Sequence, residues 1–95
     1  EIRSEYLPAE ILADPAWFML IDLALIERRG KKISVSALCQ TSGVSQTTAL
    51  RRVQELVELG LVARSEDPSD KRRIYVRLAD DTRERLNSLI DRLAP

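Results

Sequence analysis

Between residues 36 and 60 the sequence specifies two helices of unequal length around one tight turn, and few folds accommodate that. Ser36 reads as the N-cap of a brief helix, Ala37 to Ser42, because its hydroxyl can accept a hydrogen bond from a free backbone N–H. Gly43 stops that helix, Val44 follows, and Ser45 caps the next one, which Gly60 ends. In the second helix Ala49, Val53, Leu56 and Gly60 recur at spacings of 4, 3 and 4, with Leu50 and Val57 beside them, defining one buried face. Gln46, Thr47, Thr48, Arg51, Arg52 and Gln54 are left for the rest of the surface. This is the spacing of a helix-turn-helix.

The flanking segments complete an architecture. Asp14-Pro15 is a strong helix start, with Asp as cap and Pro at a position that needs no N–H, so a helix is expected from Pro15 to about Arg29. From Trp17 to Ile26 only Asp22 is polar, a far wider apolar surface than the single stripe of a surface helix. Residues 1–13, a second chain or an upstream segment must therefore cover it. The chain opens on Glu1 rather than methionine, and an upstream segment is expected. Gly30, among Arg28, Arg29, Lys31 and Lys32, closes the helix, and Ile33-Ser34-Val35 reads as a very short strand.

After Gly60, Leu61 to Arg64 begins a strand. Its partner, Arg73 to Leu78, alternates strictly, with Ile74, Val76 and Leu78 on one face and Arg73, Tyr75 and Arg77 on the other. A polar turn-rich loop, residues 65–71, joins them into a wing. Asp80 or Asp81 is expected to cap a last helix whose apolar stripe is Leu86, Leu89, Ile90 and Leu93. The fold class is mainly α with a small antiparallel β wing (α+β), a winged helix-turn-helix in the order α-β-α-α-β-β-α. Residues 1–13 form an N-terminal extension and residues 14–95 the winged domain.

Composition narrows the function. Ninety-five residues fit one small domain. No apolar run approaches the roughly 18 to 20 residues that cross a bilayer, and no secretory signal precedes the domain, so a soluble, cytoplasmic protein without membrane partners is expected. Cys39 is the single cysteine and there is no histidine, so neither an internal disulfide nor a zinc site of the usual ligands can form. Without histidine there is no Ser-His or Cys-His pair, and three glycines make no phosphate-cradling loop. The chain reads as no enzyme, with no cofactor and no metal.

Net charge is zero, but it is segregated: residues 28–77 hold eleven Lys/Arg against five Asp/Glu, a net +6 balanced by −6 elsewhere. Such a basic body suggests a local nucleic-acid footprint, although charges of both signs also simply solvate a surface. In helix-turn-helix geometry the second helix, here residues 45–59, enters the major groove and its first residues reach base edges. Ser45, Gln46, Thr47 and Thr48 supply the short polar side chains this needs. Gln46 suits adenine, while Arg51 suits guanine or a phosphate, with Arg52 beside it. Ser45 serves as a cap in any case, and Arg51 and Arg52 otherwise merely solvate an exposed face.

The wing, residues 65–73, offers Lys71, Arg72 and Arg73 to a minor groove or to phosphates, with Asp70 orienting an arginine or closing the turn; the other reading is an ordinary charged hairpin. Lys31 and Lys32 either touch phosphate or complement the helix end. Arg64 and Arg77 read as strand-surface residues, Trp17 as core or interface, Tyr75 as a strand-surface packer and Cys39 as a small buried hydrophobe. Asp80 and Asp81 look like an acid–base couple only superficially, since carboxylates belong at a helix N-terminus.

These residues resemble the MarR family of bacterial winged-helix regulators. The resemblance runs from Asp14 to about Leu93: Ser36-Ala37-Leu38 opening the first motif helix, Val44-Ser45-Gln46-Thr47-Thr48 through Arg51 and Leu56, then Glu58-Leu59-Gly60-Leu61-Val62. Asp67-Pro68-Ser69-Asp70-Lys71-Arg72-Arg73 is similar to the family's wing, with Lys71 where arginine is usual, which replaces a planar fork by a point charge. Pro8-Ala9-Glu10 and Asp14-Pro15-Ala16-Trp17 resemble a proteobacterial subgroup. The resemblance implies transcriptional regulation through binding of double-stranded DNA at pseudo-palindromic operators by a homodimer. The dimer of the full-length protein is expected to form through an upstream segment and the apolar helix 15–29. It identifies no residue for a small-molecule effector. The rival expectation is a winged helix used as a protein–protein interaction module, docking a partner on that apolar helix.

Overall fold

A computed structural model describes residues 15–93. Its elements are α1 (Ala16–Arg28), β1 (Ile33–Ser34), α2 (Val35–Gln40), α3 (Gln46–Glu58), β2 (Val62–Asp67), β3 (Asp70–Leu78) and α4 (Asp80–Leu93), the order expected from the sequence. The extension over residues 1–13 and the cap at Asp14 lie outside the described residues. The three strands form an antiparallel sheet with β3 between β1 and β2.

α1 packs against β3, α3 and α4 and is the centre of the domain. Met19, Leu20 and Leu23 from α1, Leu38 from α2, Val53 and Leu56 from α3, Val76 and Leu78 from β3, and Leu86 and Leu89 from α4 are all buried in one cluster. Each fully buried aliphatic side chain contributes about 1.5–3 kcal/mol of transfer free energy. The wide apolar surface of α1 is thus mostly explained, since Ala16, Trp17 and Ala24 are buried as well. One stripe is left over: Phe18 is 67% exposed and Leu25 39%, with half-buried Ile21 between them at helical spacing.

The helix starts differ from expectation in three places, of which the first is α1, which begins at Ala16 with Pro15 in the capping position. Ser34, not Ser36, caps α2: its backbone is extended (φ −77°, ψ 159°) and its hydroxyl accepts the Ala37 N–H at 3.1 Å. Val35 thereby becomes the first helical residue and turns into the core, whereas a cap at Ser36 would keep it in the strand. Ser36 sits exposed in the first turn, 3.4 Å from the Ser34 hydroxyl. At α4, Asp80 and Asp81 lie inside the first turn rather than ahead of it, and the carbonyl of Ala79 accepts the Arg83 N–H. There the two carboxylates oppose the positive helix end.

The turn of the motif keeps its expected glycine but is longer, because α2 ends at Gln40 rather than Ser42. Gly43 adopts φ +81° between α2 and α3, and Gly60 φ +75° after α3, where the Leu61 N–H bonds back to the Leu56 carbonyl. The buried face of α3 is narrower than the spacing implied: Ala49, Val53 and Leu56 are fully buried, but Leu50 is 42% exposed.

The hairpin is longer than expected. The polar run over 65–71 is not all loop, because β2 continues to Asp67 and β3 starts at Asp70, leaving only Pro68 and Ser69 at the tip. Pairing is regular from Val62↔Leu78 to Glu66↔Ile74 and then shifts, so that Asp67 lies opposite Asp70. Lys71, Arg72 and Arg73 fall in this irregularity, outside the regular ladder.

Candidate nucleic-acid interface

The first turn of α3 is shaped by its cap. Ser45 is extended (φ −61°, ψ 155°); its hydroxyl accepts the Thr48 N–H at 3.2 Å and donates to Thr48 Oγ1 at 2.9 Å. Ser45 and Thr48 are therefore engaged with each other. Gln46 and Thr47 project beside them, exposed, and Arg51 follows one turn later on the same side. With Ala49, Val53 and Leu56 locked in the core, the helical period turns Thr47 and Arg51 outward, while Gln46 is exposed as the first residue of the helix. No acidic residue occupies the first turn, so the positive helix end is uncompensated there. Arg52 differs: it is half-buried and bonds Glu55 on its own helix at 2.7 Å, which turns its guanidinium along the helix.

At the wing, Asp70 fills both roles expected of it. Its Oδ1 accepts the Arg72 backbone N–H at 3.1 Å and Arg72 Nε at 3.3 Å, while the rest of the Arg72 side chain stands in solvent. Asp67 organises the tip. Its Oδ1 accepts both the backbone N–H and the hydroxyl of Ser69 at 2.9 Å, and its Oδ2 accepts the Tyr75 hydroxyl at 3.0 Å. The Ser69 N–H foremost, then the Ser69 hydroxyl and Tyr75, hold the Asp67 carboxyl below the usual range. The Tyr75 hydroxyl in turn holds Arg73 more firmly in its charged form.

These parts enclose an open groove of about 690 Å³ between β1, the start of α2 and the wing. Lys32, Ser34, Ser36 and Tyr75 line it together with Arg72 and Arg73, while Leu50, next to Arg51, brings α3 to its rim. Lys32 Nζ sits 4.9 Å from the centroid of the Tyr75 ring. The structure thus gathers Ser36, Asp70, Arg72 and Arg73 around one groove, with Gln46, Thr47 and Arg51 exposed on the adjoining helix; Lys71 is exposed at the wing. Sequence reasoning missed the part played by Asp67 and Tyr75, and left Lys32 between a phosphate contact and the helix end. The signal that could have found them is register: Tyr75 lies opposite Ser65 on one side and Ser34 on the other, two residues from Asp67 and Lys32 respectively.

A short helix and a longer one across a glycine turn, followed by a two-stranded wing with cations near its tip, define the winged helix-turn-helix class. A family model described as MarR family matches residues 20–73, more than half of the sequence, and the chain belongs to the MarR family. Among solved structures it is similar to a probable transcriptional regulator from Pseudomonas aeruginosa, with 28% identity and a TM-score of 0.65 over 79% of this chain and 54% of that one. It is also similar to a MarR family transcriptional regulator from Silicibacter pomeroyi, with 27% identity and a TM-score of 0.71 over 90% and 54%. The heme sensor protein PefR from Streptococcus agalactiae shares the fold at 21% identity and a TM-score of 0.74, over 95% and 59%. The chain spans somewhat more than half the length of these structures. Comparison with curated protein sequences returns no match.

Proposed function

We propose that this chain is the DNA-reading part of a transcriptional regulator that binds double-stranded DNA sequence-specifically, with α3 in the major groove and the wing on the minor groove or phosphates. One observation carries the reading. Leu50 of α3, next to Arg51, and the cations Arg72 and Arg73 of the wing border the same groove, so one duplex can meet both elements. Gln46, Thr47 and Arg51 are the base-reading candidates, Lys71, Arg72 and Arg73 the wing contacts, and Ser36, Ser45, Thr48, Arg52 and Asp70 support them. Ser45, Thr48 and Asp70 do so chiefly by holding the backbone. Residues 14–95 act as this unit, with 1–13 as an extension, in a cytoplasmic regulator without catalytic activity. Among the described residues no helix is long and apolar enough to cross a membrane.

The reading includes a homodimer of the full-length protein, because pseudo-palindromic sites need two copies. The stripe of Phe18, Ile21 and Leu25, left over when the rest of α1 is buried, is where we place the second copy or an upstream segment of it. Titration of a labelled duplex against the protein at rising salt tests the proposal. Affinity falling steeply with salt is expected, since each phosphate contact releases counterions. Absence of binding even at low salt would leave the protein-docking role of α1 as the better account.

A further inference from the structure

We propose that the groove between β1 and the wing seats a backbone phosphate of the bound duplex, with Lys32 as its cation and Tyr75 as the positioning residue that holds that cation. This rests on the DNA-binding reading above and adds a contact lying outside both the recognition helix and the wing tip. Lys32 precedes Ser34 by two residues, and Ser34 pairs with Tyr75 across the sheet, so Lys32 and Tyr75 share a face. The ammonium lies 4.9 Å from the ring centroid, within the range of cation–π attraction. An exposed lysine is otherwise a flexible stem with a roaming charge, and the ring restricts it to the groove wall.

The ring is itself anchored. Its hydroxyl donates to Asp67 at 3.0 Å, and Asp67 is tied to the wing turn through Ser69. A continuous set of contacts thus runs from the wing turn to the Lys32 ammonium. Arg72 and Arg73 line the same groove, together with Ser34 and Ser36. Three cations and two hydroxyls around one open cleft suit phosphate oxygens. Asp70 is the one carboxylate among the lining residues, and Arg72 already engages it. Leu50 brings α3 to the cleft, so a duplex strand running from α3 to the wing would pass over it.

The test is the salt dependence of affinity for a labelled duplex, compared among the parent, Lys32→Ala, Lys32→Arg and Tyr75→Leu. Lys32→Ala should lower the magnitude of the slope of log K against log salt by about 0.9, the value for one phosphate on B-form DNA, and do so on every duplex tried. Lys32→Arg should restore the slope. Tyr75→Leu should lower it although Lys32 is intact, and adding it to Lys32→Ala should lower it no further, whereas loss of the Tyr75 contacts to the wing would lower it in both backgrounds. A parental slope for Lys32→Ala overturns the phosphate seat, and a parental slope for Tyr75→Leu overturns the positioning role. Lys32 is exposed, so its variants read the seat even where Tyr75→Leu fails to fold. A parent that binds no duplex at low salt refutes the DNA-binding reading itself, a result distinct from either.

Discussion

Glu27 on α1 and Arg83 on α4 meet at 2.6 Å between Oε1 and Nε, and the other oxygen of Glu27 accepts the backbone N–H of Leu78 at 2.8 Å. Arg83 closes the arrangement by donating to the Leu78 carbonyl and to Asp80, both at 2.8 Å. One carboxylate thus ties the central helix to the end of the wing and to the last helix. Both side chains are largely shielded, at 15% and 29% exposure, so the pair is worth more than a surface bridge. Glu27→Ala leaves the Leu78 N–H and Arg83 without their acceptor, and we expect a loss of about 2 kcal/mol in urea unfolding. Glu27→Gln keeps an acceptor for the N–H and should lose about half as much.

The identity of the α2 cap is open to direct measurement. Ser34→Ala removes the acceptor of the Ala37 N–H and should cost about 1 kcal/mol, whereas Ser36→Ala should change stability by less than about 0.5 kcal/mol. Ser45→Ala should cost about 1 kcal/mol through the exposed Thr48 N–H. Equal losses at Ser34 and Ser36 in thermal unfolding would contradict Ser34 as the cap.

For DNA binding, Arg51→Ala and Arg72→Ala should each weaken affinity by roughly 1–3 kcal/mol, with Arg51→Ala changing sequence preference more. The difference follows from position, Arg51 on the outward side of α3 and Arg72 on the wing. Fluorescence anisotropy on a panel of duplexes separates the two effects. Parental affinity in both variants would refute the interface.

Acid should destabilise the domain through particular carboxylates. Ser69, chiefly by its N–H, lowers Asp67, and the Arg83 hydrogen bond lowers Asp80, so the folded state gives up these protons more readily than the unfolded chain. Their contribution is complete above about pH 4, near the unfolded value, and is lost as pH falls through the lower folded values. Asp22 has the opposite sign: burial raises it, so its contribution is present below about pH 4 and lost as pH rises through the folded value. Asp22→Asn should therefore raise the melting temperature at neutral pH while leaving it nearly unchanged in acid.

Phe18 tests the second copy. Because it is 67% exposed, Phe18→Ser should alter the stability of the folded protomer by no more than about 0.5 kcal/mol. If the α1 stripe is the dimer surface, sedimentation should show the variant shifted towards monomer. An unchanged oligomeric state would remove the stripe from the interface.

Much of the fold is legible in the residues because its signals are local. A cap acts over three residues and a glycine at its own φ, while the spacing of Ala49, Val53 and Leu56 expresses one helical period. The candidate site was half legible by the same logic: Thr47 and Arg51 face outward because Ala49, Val53 and Leu56 face inward. Where local signals competed they misled. Two serines lie two residues apart at the start of α2, and the burial of Val35 in the core, which no local rule weighs, selects the first.

The sequence by itself determined the helix-turn-helix, the wing and their order, since capping, helical period and strand alternation act within a few residues and agree along the chain. Tertiary structure decided what depends on register and distance. The shift beyond Glu66 and Ile74 places three cations outside the ladder, and Tyr75 reaches Asp67 and Lys32 because β3 lies between β2 and β1. Glu27 and Arg83 are 56 residues apart in sequence, and the packing of α1 on β3 and α4 brings them together. Such pairings follow from which faces share one core, a property of the whole chain that no short stretch of it specifies.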